Sequence, residues 1–171
     1  TDNTVIPFTV GWARDKRDSA IYPTDGLLQR FGSEISTPLG DLTYYNATYK
    51  SEWYKPLSKD LTLRLGGSLS YAEDYDGKQL PFYKNFYAGG ASSLRGYQAS
   101  SIGPKNAIGQ SLGAKRRVLA QTELIFPFPG VNLDKSMRFS AFFDAGSVDN
   151  HFDDAFSEMR YSAGLGFNWY S

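Results

Sequence analysis

Leu61-Thr62-Leu63-Arg64-Leu65-Gly66-Gly67-Ser68-Leu69-Ser70-Tyr71 decides the fold class. Its odd positions are Leu61, Leu63, Leu65, Gly67, Leu69 and Tyr71, and its even positions are Thr62, Arg64, Gly66, Ser68 and Ser70. Successive side chains of an extended chain point to opposite faces, so a period of two over ~10 residues is a strand with one apolar and one polar face.

The same period continues outward. Thr43–Trp53 sets Tyr45, Ala47, Tyr49 and Trp53 against Asn46, Thr48, Lys50 and Glu52. Met159–Trp169 sets Tyr161, Ala163, Leu165, Phe167 and Trp169 against Arg160, Ser162, Gly164, Gly166 and Asn168. Val5–Arg14, Leu27–Ser36, Val118–Phe126 and Met137–Gly146 are further candidate strands; the last two carry Gln121 and Glu123, and Arg138, Ser140 and Asp144, on their polar faces. Turn signals stand at Pro23-Thr24-Asp25-Gly26, at Pro38-Leu39-Gly40-Asp41 and within residues 127–134, where Pro presets φ and Gly accepts a positive one. The expected fold is all-β: about seven antiparallel strands of one domain over residues 1–171, with no helical period and no repeat.

Composition narrows the function. There is no cysteine to supply disulfides or thiolate ligands, and the formal net charge of zero argues against nucleic acid as main partner. The lone histidine, His151, makes a His-based metal site or a Ser–His nucleophile pair a poor reading; no catalytic residue and no cofactor are assigned. Aromatics make up 16% of the chain although its mean hydropathy is negative, and no run of ~18 apolar residues could form a membrane helix.

Alternation does not say which face is wet. A soluble sheet would turn its leucine rows inward, whereas a membrane barrel would turn them to lipid and line a lumen with the polar rows. Two features favour the membrane. Aromatics recur at strand ends (Trp12, Trp53, Tyr54, Tyr71, Trp169, Tyr170), where interfacial girdles belong. The polar faces also mix Gly and Ser with isolated charges (Arg64, Glu123, Asp144, Arg160), as a crowded lumen with internal ion pairs would. The compact connections then belong on the periplasmic side, and the long stretch 73–117 outside, unless it folds back into the pore.

Residues 86–104 of that stretch carry one charge, Arg95, between Leu94 and Gly96 and followed by Tyr97. A buried guanidinium needs carboxylates, and Glu123 and Asp144 stand on the polar faces of the next two strands. The alternative is a flexible loop with Arg95 solvated.

At these residues the chain resembles the BamA family, central barrel subunits of the machine that assembles outer-membrane β-barrels. The motifs are Phe86–Gly90, Ser93–Tyr97 and Ile102-Gly103-Pro104, then Tyr22–Gly26, Glu123–Pro127, Phe142–Gly146 and Arg160–Trp169; Leu94 replaces a usual valine. The resemblance implies a 16-stranded transmembrane barrel of the bacterial outer membrane with the Arg-Gly loop inside its lumen. It further implies a lock of Arg95, Gly96 and Tyr97 on Glu123 and Asp144, with Gly89, Gly90, Gly103 and Pro104 framing the loop. The implied function is insertion of β-barrel proteins by non-covalent catalysis at a weak seam between first and last strands. The implied partners are outer-membrane lipids, nascent β-barrel proteins and assembly-machine lipoproteins. Relative to that family this chain is expected to be a carboxy-terminal-half piece without periplasmic POTRA domains and without either seam strand, so that its open edges invite self-association. The rival function is a pore or secretion translocator sharing the Arg-Gly loop.

Three clusters have plainer readings. Glu73, Asp74 and Asp76 are expected in a solvated turn, not a calcium loop, and Asp149, Asp153 and Asp154 near His151 in an ordinary acidic loop. Lys115-Arg116-Arg117 is expected at a strand entrance, solvated or against lipid headgroups.

Overall fold

The structure is a computed structural model and describes residues 4–75, 77, 80–127 and 137–169. Asp76, Tyr170 and residues 128–136, where most of the third turn was expected, lie outside the described residues. Seven strands follow one another: β1 (Pro7–Asp15), β2 (Gly26–Ser36), β3 (Tyr44–Pro56), β4 (Thr62–Asp74), β5 (Arg116–Pro127), β6 (Met137–Asp149) and β7 (Arg160–Trp169). Each pairs antiparallel with the next, giving one sheet in sequence order. Among the described residues, β1 and β7 are paired on one side only.

Register keeps the two side-chain sets apart across the whole sheet. Leu65 lies opposite Trp53 on β3 and Thr122 on β5, while Arg64 beside it lies opposite Tyr54 and Glu123. Farther along, Asp144 pairs in register with Gln121 and Ser162. One slip by a residue would exchange the faces.

The burial of those faces is the reverse of a water-soluble protein. Leu69 is 51% exposed and Leu165 82%, whereas Glu123 is 7% and Asp144 0%. Phe8, Trp12, Phe31, Trp53, Phe143 and Phe167 share the exposed face, which therefore runs from β1 to β7. An apolar surface of that extent is suited to hydrocarbon.

Aromatics bound this surface at two levels. Trp12, Trp53 and Trp169 are exposed at the end carrying the 57–61 turn. Tyr45 and Tyr71, their rings 5.8 Å apart, mark the end carrying the 75–115 loop. From Tyr45 to Trp53 the strand rises about 27 Å, or about 21 Å at a tilt near 40°, comparable with the ~25 Å apolar band of outer-membrane barrels. Tyr54 departs from the expected girdle. It sits on the inner face, and its hydroxyl donates to buried Glu52.

One short helix was not expected from the sequence. The helix α1 (Phe152–Ser157) packs against β5 and β6, and Phe152 stacks on Tyr71 with centroids 5.9 Å apart. Its six residues are less than two turns, too few for a 3.6 period to emerge from the sequence. His151 precedes it, exposed, and its backbone N–H donates to Asp149.

Candidate functional site

The inner face is covered by the loop 75–115, which turns back over β3–β6 and packs there. Leu94 is fully buried with Ala88, Ile102 and Ala114 from the loop and with Leu119 and Val148 from β5 and β6. A second cluster near the loop's start joins Leu80 to Tyr44 and Ala72. Burying a leucine stabilises by roughly 1.5–3 kcal/mol, so these clusters account for the loop's position before any charge is considered.

Arg95 is held from several directions. Its backbone N–H and Nε donate to Asp144 Oδ2 at 3.1 and 2.8 Å, and Nη2 donates to Oδ1 at 2.7 Å. Nη1 donates to Glu123 Oε1 at 3.0 Å, and the guanidinium lies 3.8 Å from the centre of the Phe142 ring. Burial pushes the Arg95 pKa down, but Asp144 and Glu123 outweigh it and hold the group above its ordinary value. Glu123 and Asp144, on adjacent strands with side chains on one face, form a fork matching the guanidinium's own.

The pairing continues beyond the residues the sequence singled out as a lock. Arg64 Nη1 donates to Glu123 Oε2 at 3.3 Å, and Nη2 lies 3.5 Å from Glu52 Oε1. Lys50 Nζ is 2.8 Å from the same Glu52 oxygen. Asp144, Arg95, Glu123, Arg64, Glu52 and Lys50 thus alternate in sign from β6 to β3. Three cations balance three carboxylates, which is how buried charge is tolerated. The sequence carried a usable signal, opposite charges of one parity on neighbouring strands, but only the register reveals who meets whom.

The remaining framework residues set the loop's path. Gly96 has φ of 84°, and Tyr97's hydroxyl donates to the Tyr161 carbonyl of β7 at 3.0 Å. Gly89 and Gly90 have φ of 111° and 93°, and Gly90 N–H donates to the Tyr97 carbonyl at 2.9 Å. A Cβ on Gly89 would come within 2.2 Å of the Gln98 carbonyl oxygen, so a side chain there excludes this turn. At Gly103, φ is 109° and a Cβ would stand 3.0 Å from Val148, so the loop lies close against β6. Pro104's carbonyl accepts from Leu112 N–H at 2.9 Å. Gln121 Nε2 donates to the Ser93 carbonyl at 2.9 Å, tying this turn to β5.

Several expectations need correction. Lys115-Arg116-Arg117 is not one solvated cluster. Lys115 pairs with Glu73 and with Asp74 (2.7 Å), Arg116 lies 3.1 Å from Glu73 on the outer face, and Arg117 points to the lumen. Glu73 and Asp74 consequently end β4 in ion pairs instead of standing in a free turn. Arg160 is an exposed residue 3.9 Å from Glu158, outside the lumen chain. Lys84 adds a fastening that sequence reasoning missed: Nζ donates to Glu34 at 2.9 Å and sits 4.7 Å from the Tyr44 ring centre.

Known proteins resemble this chain in sequence and in fold. The chain is 39% identical over 193 aligned residues to the outer membrane protein assembly factor BamA of Neisseria meningitidis serogroup B, covering 95% of this chain and 24% of that protein. It is 30% identical over 145 residues to a SAM50-like protein of Schizosaccharomyces pombe, covering 81% of this chain and 30% of that one. The crystal structure of BamA from Haemophilus ducreyi lacking POTRA domains 1–3 superposes with a TM-score of 0.86 at 29% identity, covering 96% of this chain and 36% of that chain. The chain therefore spans about a quarter to a third of the length of these relatives. Residues 2–171 match the Omp85 superfamily domain, and the chain belongs to that superfamily.

Proposed function

We propose that this chain forms part of the wall, together with the plugging loop, of a bacterial outer-membrane barrel that inserts other β-barrel proteins into the membrane. The 75–115 loop marks the extracellular end and the 57–61 turn the periplasmic one. Lipid meets the Leu65, Leu69 and Leu165 face. The substrates are nascent barrel proteins, and the machine's lipoproteins are its helpers. The reaction is non-covalent: strands are presented and paired, and no bond to a client forms or breaks. The Arg95 lock on Glu123 and Asp144 keeps Leu94–Tyr97 seated in the lumen and holds the wall in one shape while strands exchange at the seam of the whole barrel.

The observation that carries this reading is the contrast between a lipid-suited outer face and an inner face bridged by one guanidinium from the loop. The test is Arg95→Ala in the full-length protein. Removing one partner of a buried pair costs about 3–5 kcal/mol, so the variant should unfold at lower temperature and assemble a reporter barrel more slowly in proteoliposomes. Wild-type heat resistance together with wild-type assembly would sink the lock. Large steady single-channel currents from the wild-type protein would favour the translocator reading instead.

A further inference from the structure

Arg117, part-buried on the lumen face, stands apart from the ion pairs around it among the described residues. Arg64, Arg95 and Arg116 each have a carboxylate oxygen within 3.3 Å. Arg117 has none at ion-pairing distance among the described residues. Its Nη1 donates to the Tyr87 carbonyl at 3.2 Å and its Nη2 to Ser70 Oγ at 3.1 Å, and its buried Nε has no partner. The alternating chain of six beside it is already balanced and leaves no carboxylate to spare for Arg117. A half-buried guanidinium that meets only neutral groups among the described residues is a costly arrangement unless an anion completes it.

Next to Arg117 lies a cavity of about 240 Å³ between the loop and β3–β5. Lys50, Ser68, Ser92 and Ser100 line it together with Arg117. Lys50 spends one contact on Glu52 and, with three N–H donors, keeps two. Ser100 is the non-glycine residue with a positive φ, 54°, among those described. A liquid water occupies about 30 Å³, so the space takes a tetrahedral oxyanion and several waters. Donors converge from two bodies, the wall and the loop. Two cations and several hydroxyls suit the multiple acceptor oxygens of such an anion.

We propose that this cavity is a binding site for a small phosphate-like oxyanion, which bridges Arg117 and Lys50 of the wall to the serine hydroxyls of the loop and helps hold the loop down. Lys50, Ser68 and Arg117 all stand on the lumen face, so the anion comes from the aqueous interior, and the sheet separates the site from lipid headgroups.

The test uses the full-length protein in detergent, titrated calorimetrically with inorganic phosphate at constant ionic strength. A second arm uses a short-chain phosphatidic acid. Wild type should show saturable one-site binding of inorganic phosphate that chloride does not replace. Lys50→Gln should weaken it about tenfold or more, because that side chain is half-exposed and Arg64 still neutralises Glu52 in its absence. Arg117→Gln should abolish it if that variant folds, and Lys59→Gln, at the far turn, should leave it unchanged. No saturable phosphate binding, equal affinity in Lys50→Gln, or binding of phosphatidic acid without inorganic phosphate would each overturn the proposal.

Discussion

Leu65 and Arg64 are neighbours in β4, yet one faces a medium that dissolves hydrocarbon and the other a crowded interior made of ions. The outer face needs only to be apolar and girdled, so its residues are interchangeable in kind. Phe, Leu, Val and Trp all serve. On the inner face each group depends on a named partner, because a lone charge there has no water to fall back on. Substitutions should therefore be judged by chemistry on one face and by partnership on the other.

The largest departure from that rule should come from Asp144→Ala. It strips Arg95 of three donor contacts at a site with no exposed surface, with an expected cost of about 3–5 kcal/mol in urea-induced unfolding of the full-length barrel. Asp144→Ala with wild-type stability would erase the distinction between the faces. Leu69→Arg tests the outer face. A midplane cation costs about 2–4 kcal/mol in lipid, and the loss should be seen on folding into vesicles. If it is as well tolerated there as a change to Ala, that face does not meet lipid.

The smallest effect belongs to neither face. Asp18, in the 16–25 connection, is pushed up by partial burial, but hydrogen bonds from Thr24, Asp25 and Ser19 outweigh this and leave its pKa below the ordinary value. A depressed carboxylate stabilises above the usual aspartate pKa, and its contribution disappears as pH falls through the folded value. The protection of the Thr24 and Asp25 amides, measured against intrinsic exchange at each pH, should fall selectively under acid, and Asp18→Ala should remove that dependence. Exchange there that ignores both acid and substitution would discount the Asp18 cap.

How far the sequence could be read follows the same divide. The wall was legible because alternation is local: Thr43–Trp53 and Leu61–Tyr71 became β3 and β4, each starting one residue later and ending three residues later than expected. The Arg95, Glu123 and Asp144 grouping was legible from parity and the scarcity of charge, with the family resemblance pointing to the same residues. Arg64, Glu52 and Lys50 were not, because their meeting depends on a register between strands that no single segment encodes. Tyr54 looked like a girdle residue by its place next to Trp53, but parity sends it inward to Glu52. Arg117 looked solvated because two basic neighbours precede it, although the strand begins at Arg116 and sends the two arginines to opposite sides.

The junction between β4 and β5 has a kinetic consequence. Residues 57–61 join β3 to β4, whereas 75–115 intervene before β5. By chain entropy alone that closure costs about 2 kcal/mol more, so β1–β4 and β5–β7 should zip up first as separate ribbons. Pulse-labelled exchange during refolding of the full-length protein should then protect Arg64–Glu123 ladder amides late and in step with the loop's own. The plug would thus act as the clasp that joins two half-walls, arriving with the last ladder instead of after it.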